Sequence, residues 1–174
     1  MNMRIKNMIY ISLFVAIFVI FGRIATLDFG TMKLSIKSFP VYVGAVILGP
    51  VEGLLIGLVG ELVLQLIGPY GFTATTLFWV IPYAVIGASC GFAFENKVVK
   101  LNGGLKYWLF IISLQVVLTL LNTVVILIDS IIFGYYSFIY VYGSLITRLM
   151  TSILVGIIYS VVLPFVISAI KKIH

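Results

Sequence analysis

A polytopic α-helical membrane protein is predicted by three observations. Apolar side chains make up 63% of the 174 residues, charged ones only 9%, and mean hydropathy is +1.27. A soluble domain ordinarily holds about 25% charged residues, so the shortfall is too large for local packing to explain. The apolar residues also run the whole length of the chain, which excludes a disordered or fibrous protein. At about 20 residues per crossing, this length accommodates roughly five or six spans as a single integral-membrane unit over residues 1–174.

The elements follow in order. An apolar run from about Met8 to Thr26 follows Arg4 and Lys6; it lacks a small-x-small cleavage pattern and reads as a retained first span. Leu27 to Ser38 is amphiphilic and carries Asp28, Lys33 and Lys37. The stretch Phe39–Ile67 is too long for one span and is broken at Leu48-Gly49-Pro50, giving helices at about Phe39–Leu48 and Val51–Ile67. Gly68-Pro69-Tyr70-Gly71 makes the next turn, and a fourth helix runs from about Thr75 to Phe94. Glu95–Lys106 is a water-exposed loop. The fifth helix covers about Tyr107–Ile128, a tyrosine-rich loop or short helix follows, and the last helix spans about Gly143–Ile170.

Six helices place both termini on one side. Arg4, Lys6, Lys97, Lys100, Lys106, Lys171 and Lys172 all fall there, seven of the eleven basic residues. The excess of Lys and Arg marks that side as cytoplasmic. It also accounts for the net charge of +6 without nucleic acid as a partner.

Ionisable residues inside a membrane are costly and point to function. Arg23, Glu61 and Arg148 are the three that stand out. At about 1.5 Å of rise per residue, Glu61 and Arg148 sit at matching depth, roughly 8–10 Å below the outer surface. Asn122 falls at a similar level, Gln65 lies one turn above Glu61, and Trp79 and Tyr83 add aromatic surface. Two readings are open: a structural Glu61–Arg148 ion pair, or an outward-facing pocket for a small polar-aromatic or anionic ligand. Arg23 either joins that pocket or snorkels to headgroups. Thr75, in the hydroxyl-rich segment Tyr70–Thr76, either caps the fourth helix or reaches the pocket mouth.

Gly49, Gly53 and Gly57 line one helix face and Gly87 and Gly91 another, a spacing that lets helices approach closely in lipid. Ser12 and Ala16 repeat it on an end helix, where contact with another protein is expected. There is no G-x-x-x-x-G-K-[ST] phosphate loop, and the sole histidine is His174. Neither a serine–histidine dyad nor a His/Cys metal cluster is therefore expected inside the membrane. The expectation is a non-enzyme without a cofactor.

The string Phe39-Pro40-Val41-Tyr42-Val43-Gly44-Ala45-Val46-Ile47-Leu48-Gly49-Pro50-Val51-Glu52-Gly53, with six helices and an acidic residue near the end of the third, resembles a known family. It looks like the substrate-specificity subunit, or S component, of an energy-coupling factor (ECF) vitamin transporter. The resemblance implies tight capture of a vitamin or precursor in an outward-facing pocket of a multi-pass protein of the bacterial cell membrane. Loops Leu27–Ser38 and Gly68–Thr75 would close over it. It implies as partners a transmembrane coupling subunit, reached through Ser12-x-x-x-Ala16, and two ATP-binding cassette subunits. The folate and pantothenate branches are nearest, with Arg148, Arg23 and Lys33 or Lys37 meeting carboxylate and Trp79, Tyr83, Tyr70 and Phe72 walling a ring. The competing reading is a self-sufficient secondary transporter that uses Glu61 as a proton or sodium site.

Overall fold

A computed structural model describes residues 3–24, 26–28, 33–69, 71–101 and 104–173; the side chains of residues 3, 4, 26–28, 33, 34, 171 and 173 lie outside the description. Its helices are α1 (Met3–Ile24), α2 (Phe39–Leu48), α3 (Pro50–Leu66), α4 (Thr76–Glu95), α5 (Leu105–Ile132), α6 (Phe138–Tyr142) and α7 (Leu145–Ile173). Two short strands, β1 (Thr26–Asp28) and β2 (Lys33–Ser35), pair antiparallel between α1 and α2 with Leu27 opposite Leu34. All six expected helices are present. The hairpin was not anticipated, because three-residue strands carry too little alternation to show as a pattern.

Among the described residues, four helical stretches are long and apolar enough to cross a membrane: Ile5–Ile24, Thr76–Glu95, Leu105–Ile132 and Phe138–Ile170. The 17 residues of α3 span about 25 Å and the 10 of α2 only about 15 Å, so this consecutive pair occupies the layer at reduced length. Gly49 separates them. Its φ of +118° is a conformation that a residue with a Cβ rarely adopts, and Pro50 then opens α3 at a position where no N–H is needed.

Helix starts and ends sort to two ends of the bundle. The Asn7 side-chain amide in early α1 donates to the Glu52 carboxylate at the start of α3, at 2.9 Å. A Cβ on Gly91, late in α4, would come within 2.5 Å of Pro50, and the starting segment of α5 lines a groove with the second half of α7. The beginnings of α1, α3 and α5 and the ends of α4 and α7 thus share what is called here the terminal end. The opposite, hairpin end carries β1, β2, α6 and the connections α1–α2 and α3–α4.

The glycine faces expected to bring helices together meet each other. A Cβ on Gly57 would lie 2.3 Å from the Tyr83 carbonyl oxygen, and one on Gly87 2.1 Å from the Gly53 carbonyl oxygen. No side chain fits, so α3 and α4 touch backbone to backbone. Lipid drives no hydrophobic association, and such contact gives the dispersion that holds the helices together instead. Phe18, Tyr42, Ile56, Ile86, Ile111 and Tyr159 fill the interior, while Leu77, Phe92, Leu109, Val124, Ile146 and Phe165 face outward. An apolar coat of that extent is what a bilayer-facing surface requires.

Candidate functional site

The hairpin end holds the polar residues that do not belong in lipid. The chain leaves β2, turns through Lys37 and Ser38, and enters α2; Pro40 in its first turn fixes the helical φ there. That turn points inward. Lys37 Nζ lies 2.9 Å from Glu61 Oε2 on α3 and 4.5 Å from the centre of the Tyr83 ring on α4. Gln65, one helical turn from Glu61, donates its amide to Glu61 Oε1 at 3.0 Å. Glu61 is only 1% exposed, so its carboxylate is compensated within the bundle by the Lys37 ammonium and the Gln65 amide, while the Tyr83 ring face supports the ammonium.

The sequence left a Glu61–Arg148 ion pair open. Among the described residues the ionic partner of Glu61 is Lys37 instead. Linear depth counting put Lys37 in an outer loop; the hairpin folds that loop back into the bundle.

Beside this pair lies a cavity of about 190 Å³. From α5 it is lined by Gln115, Thr119, Asn122 and Thr123, and from α7 by Arg148, Thr151, Ser152 and Val155. Both sets follow the i, i+3/i+4, i+7 spacing that puts residues on one helix face. Ser35, Lys37 and Ser38 close it from the turn, and Tyr83 from α4. Deeper in, Tyr42 donates to Gln115 Oε1 at 3.0 Å, Gln115 Nε2 lies 3.5 Å from Ser38 Oγ, and Ser38 and Tyr159 share a hydrogen bond of 3.0 Å.

The electrostatic character of the walls follows from where protons point. Thr119, Thr123, Thr151 and Ser152 each donate their hydroxyl to a carbonyl of their own helix. Their oxygens keep lone pairs for a ligand. Two buried atoms in these walls have no hydrogen-bond partner among the described residues: Arg148 Nη1, a donor, and Asn122 Oδ1, an acceptor. Leaving such groups unmatched costs about 1–3 kcal/mol each, more when charged, so both atoms gain from any polar partner that enters the cavity.

A second cavity of about 600 Å³ is lined by Gln65, Thr73, Trp79, Asp129, Phe133, Tyr135 and Tyr140. Thr75 and Tyr135 both donate to the Asp129 carboxylate. That hydrogen bond holds the Tyr135 phenol protonated well above the ordinary tyrosine range. Thr75 therefore bridges to α5; its hydroxyl makes no cap to α4.

The candidates thus divide. Lys37, Tyr83, Asn122 and Arg148 meet at the first cavity, Gln65 and Trp79 at the second, and Glu61 supports both through Lys37 and Gln65. Arg23 is exposed and donates to the Ile67 carbonyl, tying the end of α1 to the end of α3. Lys33 has its backbone in β2 opposite Asp28, with its side chain outside the description; Tyr70 and His174 lie outside the described residues. Ser12 and Ala16 are exposed on α1, with the Ser12 hydroxyl turned back to the Met8 carbonyl.

Gln115, Thr119, Thr123, Thr151 and Ser152 were not among the sequence candidates. Their signal is a one-faced polar stripe in each of two otherwise apolar helices, visible only when Thr and Ser are counted with the ionisable residues. Asp129 was missed because it lies just beyond the expected end of the fifth helix at Ile128; the helix continues to Ile132.

Comparison with known proteins adds the family. A family model described as "ECF-type riboflavin transporter, S component" matches residues 2–171. UPF0397 proteins from two type A strains of Clostridium perfringens are each 27% identical to this chain over 105 residues, 59% of this chain and 54% of theirs. The chain spans about half the length of these curated relatives. The family description names riboflavin, which corrects the folate or pantothenate branch read from the sequence. That reading counted Arg23 and Lys37 as cations free to meet carboxylates; one is held by a backbone carbonyl and the other by Glu61.

Proposed function

Since the chain belongs to the ECF-type riboflavin transporter S component family, we propose that it is the membrane-embedded binding subunit that captures riboflavin or a close flavin relative at its hairpin end. A transporter family, not an enzyme family, claims it. The carrying observation is the pair of unmatched buried atoms, Arg148 Nη1 and Asn122 Oδ1, lining one cavity with an array of hydroxyl oxygens. A flavin offers the complement. The carbonyl and imide N–H groups of its pyrimidine edge would satisfy a donor and an acceptor, and its polyhydroxy chain would donate to the Thr and Ser oxygens. Tyr83, its ring in the cavity wall, supplies aromatic surface. A neutral ligand needs no second free cation, consistent with the engagement of Lys37 by Glu61.

In this reading the ligand site comprises Lys37, Tyr83, Asn122 and Arg148, with Glu61, Gln65, Thr75 and Trp79 supporting it. Arg23 acts at its margin. Uptake is driven by a separate transmembrane coupling subunit with two ATP-binding cassette subunits, and the exposed Ser12–Ala16 face of α1 meets the coupling subunit. The protein resides in the bacterial cell membrane with both termini cytoplasmic, and the hairpin end opens outward. A self-sufficient ion-coupled transporter would need Glu61 free to bind a proton or sodium, and Lys37 occupies it.

Mass spectrometry of small molecules released from the protein purified in mild detergent tests the proposal. A flavin in near-stoichiometric amount is expected. Release of a different vitamin, or of none with no riboflavin binding on addition, overturns it.

A further inference from the structure

A third hollow, of about 340 Å³, lies at the terminal end between α5 and α7 and shares no lining residue with either ligand cavity. Its walls include Leu101, Tyr107, Trp108, Ser160, Pro164 and Phe165. Tyr107 is 2% exposed, and its hydroxyl is buried without a hydrogen-bond partner among the described residues. Pro164 has no N–H, so the Ser160 carbonyl one turn back lacks its usual helical donor. A donor and an acceptor therefore line a groove whose remaining surface is apolar and whose edge, at Trp108 and Phe165, is exposed.

The charge around this groove has one dominant sign. Lys106 immediately precedes Tyr107, and Lys97 and Lys100 lie in the connection from α4; all three are exposed. Lys172 is exposed on the last turn of α7, and Glu95, the last residue of α4, is an exposed acidic residue before this connection. The bias of basic residues assigns this end to the cytoplasmic leaflet, whose anionic lipids attract such segments.

We propose that the groove between α5 and α7 holds a phospholipid with an anionic headgroup. The phosphate lies at the level of Lys106 and Tyr107, the Tyr107 hydroxyl donates to a phosphate or ester oxygen, and an acyl chain follows Val161 and Phe165 toward the middle of the membrane. Wetting of the groove by water alone, or occupation by a lipid without regard to headgroup, are the other outcomes the test reads.

Protein stripped of lipid in detergent is titrated with phosphatidylglycerol, phosphatidylcholine or inorganic phosphate and followed by native mass spectrometry and thermal melting. Phosphatidylglycerol is expected to be retained several-fold better than phosphatidylcholine and to raise the melting temperature, whereas phosphate alone does neither. Tyr107→Phe should lower phosphatidylglycerol retention about fivefold, the ratio expected for one hydrogen bond. It should nevertheless melt no lower than the native protein when both are lipid-free, because it removes an unmatched hydroxyl. Lys106→Gln, an exposed change that leaves the core intact, should reduce the preference for phosphatidylglycerol at least twofold. Equal retention of the two lipids, full stabilisation by phosphate, or unchanged phosphatidylglycerol retention by both variants overturns the proposal. Riboflavin binding is unaffected in either case, so this test and that of the proposed function fail separately.

Discussion

Arg148 and the Lys37–Glu61 pair have opposite roles although all three are ions inside a membrane protein. Arg148 keeps a buried N–H unmatched among the described residues, and in the proposed function it meets the ligand. Arg148→Ala should weaken riboflavin binding about thirtyfold, equivalent to roughly 2 kcal/mol for a desolvated charge-assisted contact. The melting temperature of the unliganded variant should not fall, and fluorescence titration beside a thermal melt checks both. Lys37 and Glu61 are matched already. Lys37→Met leaves a carboxylate buried without its cation, and an uncompensated buried charge costs about 3–5 kcal/mol. Its melting temperature should drop sharply, and Lys37→Met combined with Glu61→Leu should recover much of the loss. A double variant no better than the single one would contradict the pairing. Residue type alone marked Glu61 and Arg148 as sites of interest in the sequence, but partner choice did not follow. Pairing depends on which loop folds inward, and the two-strand hairpin that turns Lys37 inward has no periodicity to announce it.

Helices were legible because lipid imposes a simple rule: every backbone polar group must be satisfied within the span. Long apolar runs punctuated by Gly-Pro and polar loops therefore map directly onto elements, and Gly49-Pro50 divides α2 from α3 where expected. Helix faces were half legible. The glycines of α3 and α4 signalled close approach, and the two faces do meet. Gly57→Ala and Gly87→Ala should each destabilise the protein by about 1–3 kcal/mol or more, since the new Cβ meets backbone oxygen that cannot rotate away. Ser89→Ala, on the exposed side of α4, should change stability by less than about 0.5 kcal/mol. Thermal melts of the three variants decide; equal melting of all three would remove the glycine contact from the account. The polar stripes of α5 and α7 were overlooked because Thr and Ser are common in membrane helices as back-bonding residues, and here they do bond backward while still facing the cavity.

The whole molecule is a bundle with a polar cavity at the hairpin end and a basic rim at the terminal end. In the proposed orientation, charge bias places the rim in the cytoplasm. With Cys90 replaced by alanine, a cysteine at Lys97 should react with a membrane-impermeant thiol reagent only from the cytoplasmic side, and one at Tyr136 only from outside. The reverse pattern would invert the topology and place the cavity on the wrong face for uptake. Family membership fixes the class of protein, while the ligand rests on the chemistry of one cavity: unmatched Arg148 and Asn122 among hydroxyl oxygens. Titration of the purified, ligand-free protein with riboflavin, followed by quenching of flavin fluorescence, tests that most directly. Saturable binding at one flavin per protein, weakened about thirtyfold in Arg148→Ala, is the expected result; absence of binding in the folded native protein, or equal affinity in the variant, would contradict it.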